Sequence, residues 1–433
     1  MRRRDLIGGA VLAGAAAWGW PARAARARRL VTVATYGGWD TTYTVDPKLG
    51  VPGIDGPEVD RDPSDPDDVE EIQHFRDIPV AVNPVKRPSV TAWFERWADR
   101  TVVVNGLSIA AISHQQSIRR VLTGSGTGRL PDLGAVVGAA RGGLAPLGYA
   151  DLANQSFLLG AVDADEPSWT TQAARLGERD QLRQLIDPSA HPVATDDALG
   201  PYPLYAPSDA ARAAIQRFLD AEGARHDAVR AGEVGADRVA IDRIEARVRA
   251  QRLRDQAVPT ARGLLNGAGA SLANDAAVAV DGLARGVWQA VLLDSRQPWD
   301  THVDNAQQHG HWEATFQGLD ALMSGLDAAG LLDEVMVVVI SEMTRTPLRN
   351  AAGGKDHWPW ASAMLVGGGI TRGGSVIGAT DNGQIGQAID LASGALDPAG
   401  VIPTYQHLAA GILARLDIDP AEHLPGISPL TAI

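Results

Sequence analysis

Four groups of ionisable side chains stand just past runs of apolar, β-branched residues. Asp40 follows the run 30–35. Ser113 and His114 follow 101–105 after one loop. Asp300 and His302 come after 287–293. Glu342 follows 335–340, with Asp356 and His357 in the loop beyond. If those runs are strands of one open parallel sheet, the loops leaving their carboxyl ends meet at one edge. Groups far apart in sequence would then share one site. Carboxylates together with imidazoles suit a hard or borderline divalent metal: zinc first, with manganese or calcium as the other fits. Such an ion stabilises oxyanion charge and acidifies water. Arg345 could grip a phosphate or sulfate with its planar fork, or form a plain salt bridge.

Each group alone has a structural reading. Asp40, after Gly-Gly-Trp, could close a turn or cap a helix, and Asp300 could cap a helix beside a surface histidine. Glu342 is harder to place that way, because a carboxylate ending an apolar strand is costly to bury without a partner. His309 and His311 read as outer or surface residues, and His74, His191, His226, His407 and His423 as structural. Trp39, Trp299, Trp312, Trp358 and Trp360 cluster near the motifs, as core packing or as faces that stack on sugar rings.

The positioning elements alternate. Helices are expected over 89–99, 114–122, 271–284 and 404–416, between the strands named above and a short one at 364–367. Strands alternating with helices imply a mostly parallel sheet buried on both faces. The segment 208–256, rich in Ala, Arg, Glu and Asp with helical spacing, reads as a helical insertion on that domain, about 205–265. The Pro- and Asp-rich stretch 60–71 reads as solvated surface, since it lacks calcium-loop spacing.

The 433 residues carry a net charge of −13 and are 45% apolar. That is enough to build one large core. The acidic balance argues against nucleic acid as a main partner. No cysteine is present, so disulfides, thiolate zinc sites and cysteine nucleophiles are excluded.

The amino terminus has its own pattern. Arg2-Arg3-Arg4 precedes a weakly apolar stretch, and Ala22-Arg23-Ala24 follows as a cleavage site. This reads as a signal peptide, about 1–27, whose apolar run 6–20 is too short to serve as a transmembrane span. Its paired arginines resemble a twin-arginine signal. That implies export of the folded chain by the twin-arginine translocase to the periplasm or beyond, leaving 28–433 as the mature domain.

The runs Val337-Val-Val-Ile-Ser-Glu-Met-Thr-Arg-Thr-Pro347, Gly354-Lys-Asp-His-Trp-Pro359 and Gly367 to Asp381, with Gly37-Gly-Trp-Asp40, Trp299-Asp-Thr-His302 and Leu416-Asp-Ile-Asp-Pro420, resemble the bacterial family catalogued as domain of unknown function 1501. That family looks like an exported branch of the alkaline phosphatase/sulfatase superfamily. The resemblance implies an alkaline phosphatase-like α/β/α sandwich. It also implies that Asp40, Asp300, His302, Glu342 and His357 ligate one or two metal ions, with Asp356 in support. Two departures stand out. Glu342-Met343 replaces the usual Asp-His pair, and His114 stands at the nucleophile position counted back from Leu122-Thr-Gly124, where it could bind the metal, act as general acid or form a phospho-histidine, with Ser113 and Ser117 the nearest hydroxyls. The resulting expectation is an exported metal-dependent hydrolase of phosphate or sulfate esters, acting on a small-molecule or glycan ester. The alternative is a catalytically inactive, metal-containing binding protein for a cell-envelope glycan or a secreted partner.

Overall fold

The computed structural model describes residues 27–127, 130–140, 148–153, 155–156, 173–175, isolated positions between 210 and 224, and 270–433. The expected signal peptide lies outside the described residues except for Ala27. The expected helical insertion, His191 and His226 also lie outside them, apart from those isolated positions.

In chain order the elements are β1 (Arg29–Thr35), β2 (Glu71–Phe75), β3 (Ile78–Val82), α1 (Pro88–Trp97), β4 (Thr101–Ser108), α2 (His114–Thr123), α3 (Leu133–Ala140), β5 (Tyr149–Asp151), β6 (Ala173–Arg175), α4 (Leu272–Ala284), β7 (Ala290–Asp294), α5 (Gln308–Ala328), β8 (Val335–Ser341), β9 (Thr344–Arg345), β10 (His357–Trp358), β11 (Trp360–Gly367), β12 (Ser375–Ile377) and α6 (Tyr405–Arg415). Eight strands form one sheet in the order β12-β4-β11-β8-β1-β7-β5-β6. β1 lies parallel to β7 and β8, and β5 is parallel to both β6 and β7. β12 is parallel to β4, and β11 runs antiparallel to its neighbours β4 and β8. The sheet is therefore mostly parallel, as the alternation of elements predicts.

Burial on both faces follows from the period-2 geometry of strands. Along β8, Val335, Val337 and Val339 enter one core, and Met336, Val338 and Ile340 enter the other. The first core is closed by α1, α4 and α5 through Trp93, Phe94, Ala276, Phe316 and Leu319. The second is closed by α2, α3 and α6 through Val121, Val136, Leu408 and Leu413. The result is an α/β/α sandwich. Pro88 opens α1, where a missing N–H costs nothing. Ser271 caps α4 by accepting from the Asn274 N–H. Among the described residues, no helix is long and apolar enough to cross a membrane.

The acidic stretch 60–71 is exposed along most of its length, as expected, but Asp60, Asp68 and Glu70 are paired rather than solvated. Asp68 is 1% exposed, and its carboxylate takes the Lys86 ammonium at 2.7 Å. Glu70 pairs with buried Arg87 at 2.5 Å. Asp60 accepts from the Tyr43 hydroxyl at 2.5 Å and from Arg349 at 2.7 Å. Composition alone reads as a solvated loop, because these counter-charges come from elsewhere in the chain.

The carboxylates gain their stability from ionisation. Burial works against the charge on Asp60, but the bonds from His309, Tyr43 and Arg349 outweigh it and hold the group at about 2. Asp68 is likewise held low, with the Asp62 N–H and Lys86 outweighing burial. A depressed folded value stabilises above the unfolded carboxylate range near ~4. That contribution is lost as pH falls through about 2. Urea midpoints should therefore drop as pH falls from 5 to ~2, and Arg349→Met should flatten that drop.

Candidate metal centre

The parallel strands deliver their loops to one edge. β1 leads into Gly37–Asp40, β4 into Ile112–His114, β7 into Asp300 and His302, and β8 into Glu342. Because β11 is antiparallel to β8, it begins at the edge where β8 ends. The β9–β10 hairpin before it, with Arg345 opposite His357, brings Asp356 and His357 back to that edge.

Four donor atoms meet there. Asp300 Oδ1 is 3.1 Å from His302 Nε2, 3.2 Å from His357 Nε2 and 3.5 Å from His114 Nε2. The Nε2 atoms of His302 and His357 are 2.9 Å apart. His114, Asp300 and His357 form a group whose ligand atoms all lie within 4.8 Å of one another. His302 closes against two of them.

The opposite nitrogens fix the tautomers. His114 Nδ1 faces Glu342 Oε1 at 2.9 Å, and His302 Nδ1 faces Asp356 Oδ1 at 2.9 Å. His357 Nδ1 faces the Ile112 carbonyl oxygen at 2.7 Å. A carboxylate and a carbonyl only accept, so each Nδ1 carries the hydrogen and each neutral ring turns its Nε2 lone pair inward. Those lone pairs then point at one another and at a carboxylate oxygen. Such a contact is repulsive unless a proton or a cation lies between. His114 Nε2 is buried and has no hydrogen-bond partner. The 2.9–3.5 Å separations between Asp300 and each ring, and between His302 and His357, are close to the ~3.3 Å between ligands of a tetrahedral zinc at ~2.0–2.1 Å, while His302 stands outside the 4.8 Å group of His114, Asp300 and His357. The donor set fits a divalent cation.

The remaining expected residues surround these donors. Glu342 is 2% exposed and accepts from the Gly37 N–H at 2.7 Å as well as from His114. It orients an imidazole, as carboxylates behind metal-binding histidines do. Asp356 does the same for His302. Asp40 joins none of the imidazoles: its oxygens accept from Thr42, Asn305 and Lys355. Arg345, expected to meet an anion, is fully buried and spends its guanidinium on the carbonyls of Gly37, Gly38, Trp299 and Lys355 and on Asp300 Oδ1 at 2.7 Å. It anchors Asp300. Ser113 is the exposed residue ahead of α2, without a side-chain cap bond. The Ser117 hydroxyl is buried without a partner. His309 and His311 are buried in α5, and burial lowers the proton affinity of both.

Lys355, Asn305 and Gln308 are the site residues missed in the sequence. Asn305 bridges Asp40 and the Tyr43 hydroxyl, and Gln308 accepts from the Asp40 N–H at 2.9 Å. The one available signal was a lysine beside Asp356-His357 in a glycine loop.

Close backbone packing sets the geometry. Gly37 has φ +118°, and a Cβ there would lie 2.6 Å from the Asp300 nitrogen. A Cβ on Gly354 would lie 2.0 Å from the His302 carbonyl carbon. Hydrogen bonding to Glu342 raises the proton affinity of His114, against the opposing effect of burial. Burial opposes the charge on Asp300, but Arg345 prevails and holds its carboxyl below the usual range.

Residues 208–422 match the family described as "Protein of unknown function (DUF1501)". No curated protein matches the sequence. Among solved structures, Ps i-CgsB in complex with k-i-k-neocarrahexaose is 10% identical over 93% of this chain and 75% of that one, at a TM-score of 0.39. The lipoteichoic acid synthase LtaP from Listeria monocytogenes is 9% identical over 95% and 76%, at 0.39. A further Ps i-CgsB structure aligns over 36% of each chain, at 14% identity and 0.24. The DUF1501 match includes Asp300, His302, Glu342, Asp356 and His357. His114 and Asp40 lie ahead of it.

Two measurements check this geometry. In chelator-treated protein His114 should titrate above the ordinary ~6.5, and Glu342→Gln should bring it down, as read by NMR of the imidazole resonances. A raised value means this pair stabilises below the ordinary value and ceases to do so as pH rises through the raised one. Gly37→Ala should cost at least ~1–3 kcal/mol from backbone strain alone, seen as a lower thermal midpoint.

Proposed function

We propose that the chain is an exported, metal-dependent hydrolase of phosphate or sulfate esters. The observation that carries this reading is the convergence of three imidazole Nε2 atoms on Asp300 Oδ1, each ring held by an acceptor at its Nδ1. His114, Asp300, His302 and His357 would hold the ion, with zinc favoured by three nitrogen donors and one oxygen. When bound, a divalent cation supplies Lewis-acid stabilisation of oxyanion charge and acidifies water.

The chain's own residues do the positioning. Glu342 and Asp356 keep His114 and His302 in the tautomer that offers Nε2. The Ile112 carbonyl does so for His357. Arg345 fixes Asp300 so that one oxygen faces the rings. Among the described residues, no hydroxyl side chain is hydrogen-bonded to the imidazoles or to Asp300. This favours direct hydrolysis by water over a covalent serine intermediate. Arg345 is buried and fully engaged, so it has no donor left for an anionic substrate, and a bound cation would have to supply that attraction.

The substrate has few aromatic faces to stack on. Trp39, Trp299 and Trp312 are fully buried and pack on one another. Trp358 and Trp360 are half-buried, and they are the two that a glycan ring could reach. Export rests on the paired arginines and the cleavage pattern at the amino terminus.

Full-length protein purified without chelator should contain bound zinc by elemental analysis. It should turn over members of an aryl phosphate and sulfate panel. Asp300→Ala should lose metal and turnover together. Glu342→Gln should weaken both by ~10–100-fold, as for other groups behind a metal ligand. Ser113→Ala and Ser117→Ala should retain turnover. Full metal occupancy with no turnover, combined with affinity for envelope glycans, would instead identify a binding protein.

A further inference from the structure

Asp40 ends β1 where a ligand is expected, yet its counter-ion is already built in. The Lys355 ammonium lies 2.7 Å from Asp40 Oδ2, and both side chains are wholly buried. Asn305 Nδ2 reaches the same oxygen at 2.9 Å. The other oxygen takes the Thr42 N–H at 3.1 Å and the Thr42 hydroxyl at 2.6 Å. Four donors therefore satisfy the carboxylate. A buried carboxylate requires such compensation, and once it has it, little is left to offer a metal.

Lys355 is also held at its backbone. Its N–H donates to the Thr301 carbonyl at 3.1 Å, and its carbonyl accepts from Arg345. The loop therefore delivers the ammonium to Asp40 and His357 to the imidazole cluster from positions two residues apart.

We propose that Lys355 stands in for a second cation, so that the centre takes a single divalent ion and Asp40 is not among its ligands. The charge balance agrees. Asp40, Asp300, Glu342 and Asp356 bring four carboxylates, and Arg345 and Lys355 return two fixed positive charges. One divalent ion neutralises the remainder, whereas a second would leave an uncompensated excess beside buried Lys355. A lysine ammonium suits the position because it is a compact point charge with three donors. This inference rests on reading the imidazole cluster as a metal centre.

The test is Co²⁺ titration of chelator-treated full-length protein, by equilibrium dialysis and visible absorption. The wild type should take up one ion per chain. The charge-neutral exchange Asp40→Asn with Lys355→Met should still take up one, its affinity lowered no more than ~100-fold, as expected when only groups outside the ligand set change. Asp300→Asn serves as the control for the centre itself. Two ions per wild-type chain, or a folded double variant that binds none, would overturn the single-ion centre. No binding by the wild type would instead remove the metal centre on which it rests. If the double variant does not fold, the wild-type stoichiometry still decides between one ion and two.

Discussion

The site depends on which nitrogen of each imidazole carries the hydrogen. Glu342, Asp356 and the Ile112 carbonyl occupy the three Nδ1 positions. With those bonds in place, the three Nε2 atoms face Asp300, and those of His302 and His357 crowd each other to a degree that only a proton or a cation relieves. Without them the rings would be free to turn, and the same residues would be scattered surface histidines. The chemistry therefore lives as much in the acceptors behind the rings as in the rings.

The fold supplies the convergence. Parallel strands β1, β4, β7 and β8 point their carboxyl ends one way, and the antiparallel β11 lets the chain return through the β9–β10 hairpin. Buried Arg345 links three of these segments, through the carbonyls of Gly37 and Gly38, Trp299 with Asp300, and Lys355. Behind the loops, the packed indoles of Trp39, Trp299 and Trp312 form a rigid floor. The Trp312 N–H donates to the Asp40 carbonyl at 3.1 Å.

Much of this was legible in the residues. The strand runs stand out because Val, Ile and Leu on both faces leave an apolar signature, as in β8. The edge at which the groups meet follows from parallel topology. Asp300, His302 and His357 could be grouped on that ground, and His114 could be placed near them. What stayed hidden was the pairing. Lys355 meets Asp40 across 315 positions of sequence, and Glu342 meets His114 across 228. Nothing local marks either partner. Composition also misled at Asp60, Asp68 and Glu70, whose acidic surroundings look solvated until Lys86, Arg87 and Arg349 close over them.

Anomalous diffraction at the zinc edge, on crystals of the metal-loaded full-length protein, tests the centre most directly. The account requires an anomalous peak bonded to His114 Nε2, His302 Nε2, His357 Nε2 and an oxygen of Asp300, at distances of ~2.0–2.2 Å. A peak elsewhere, or none in a crystal soaked to saturation, would contradict it.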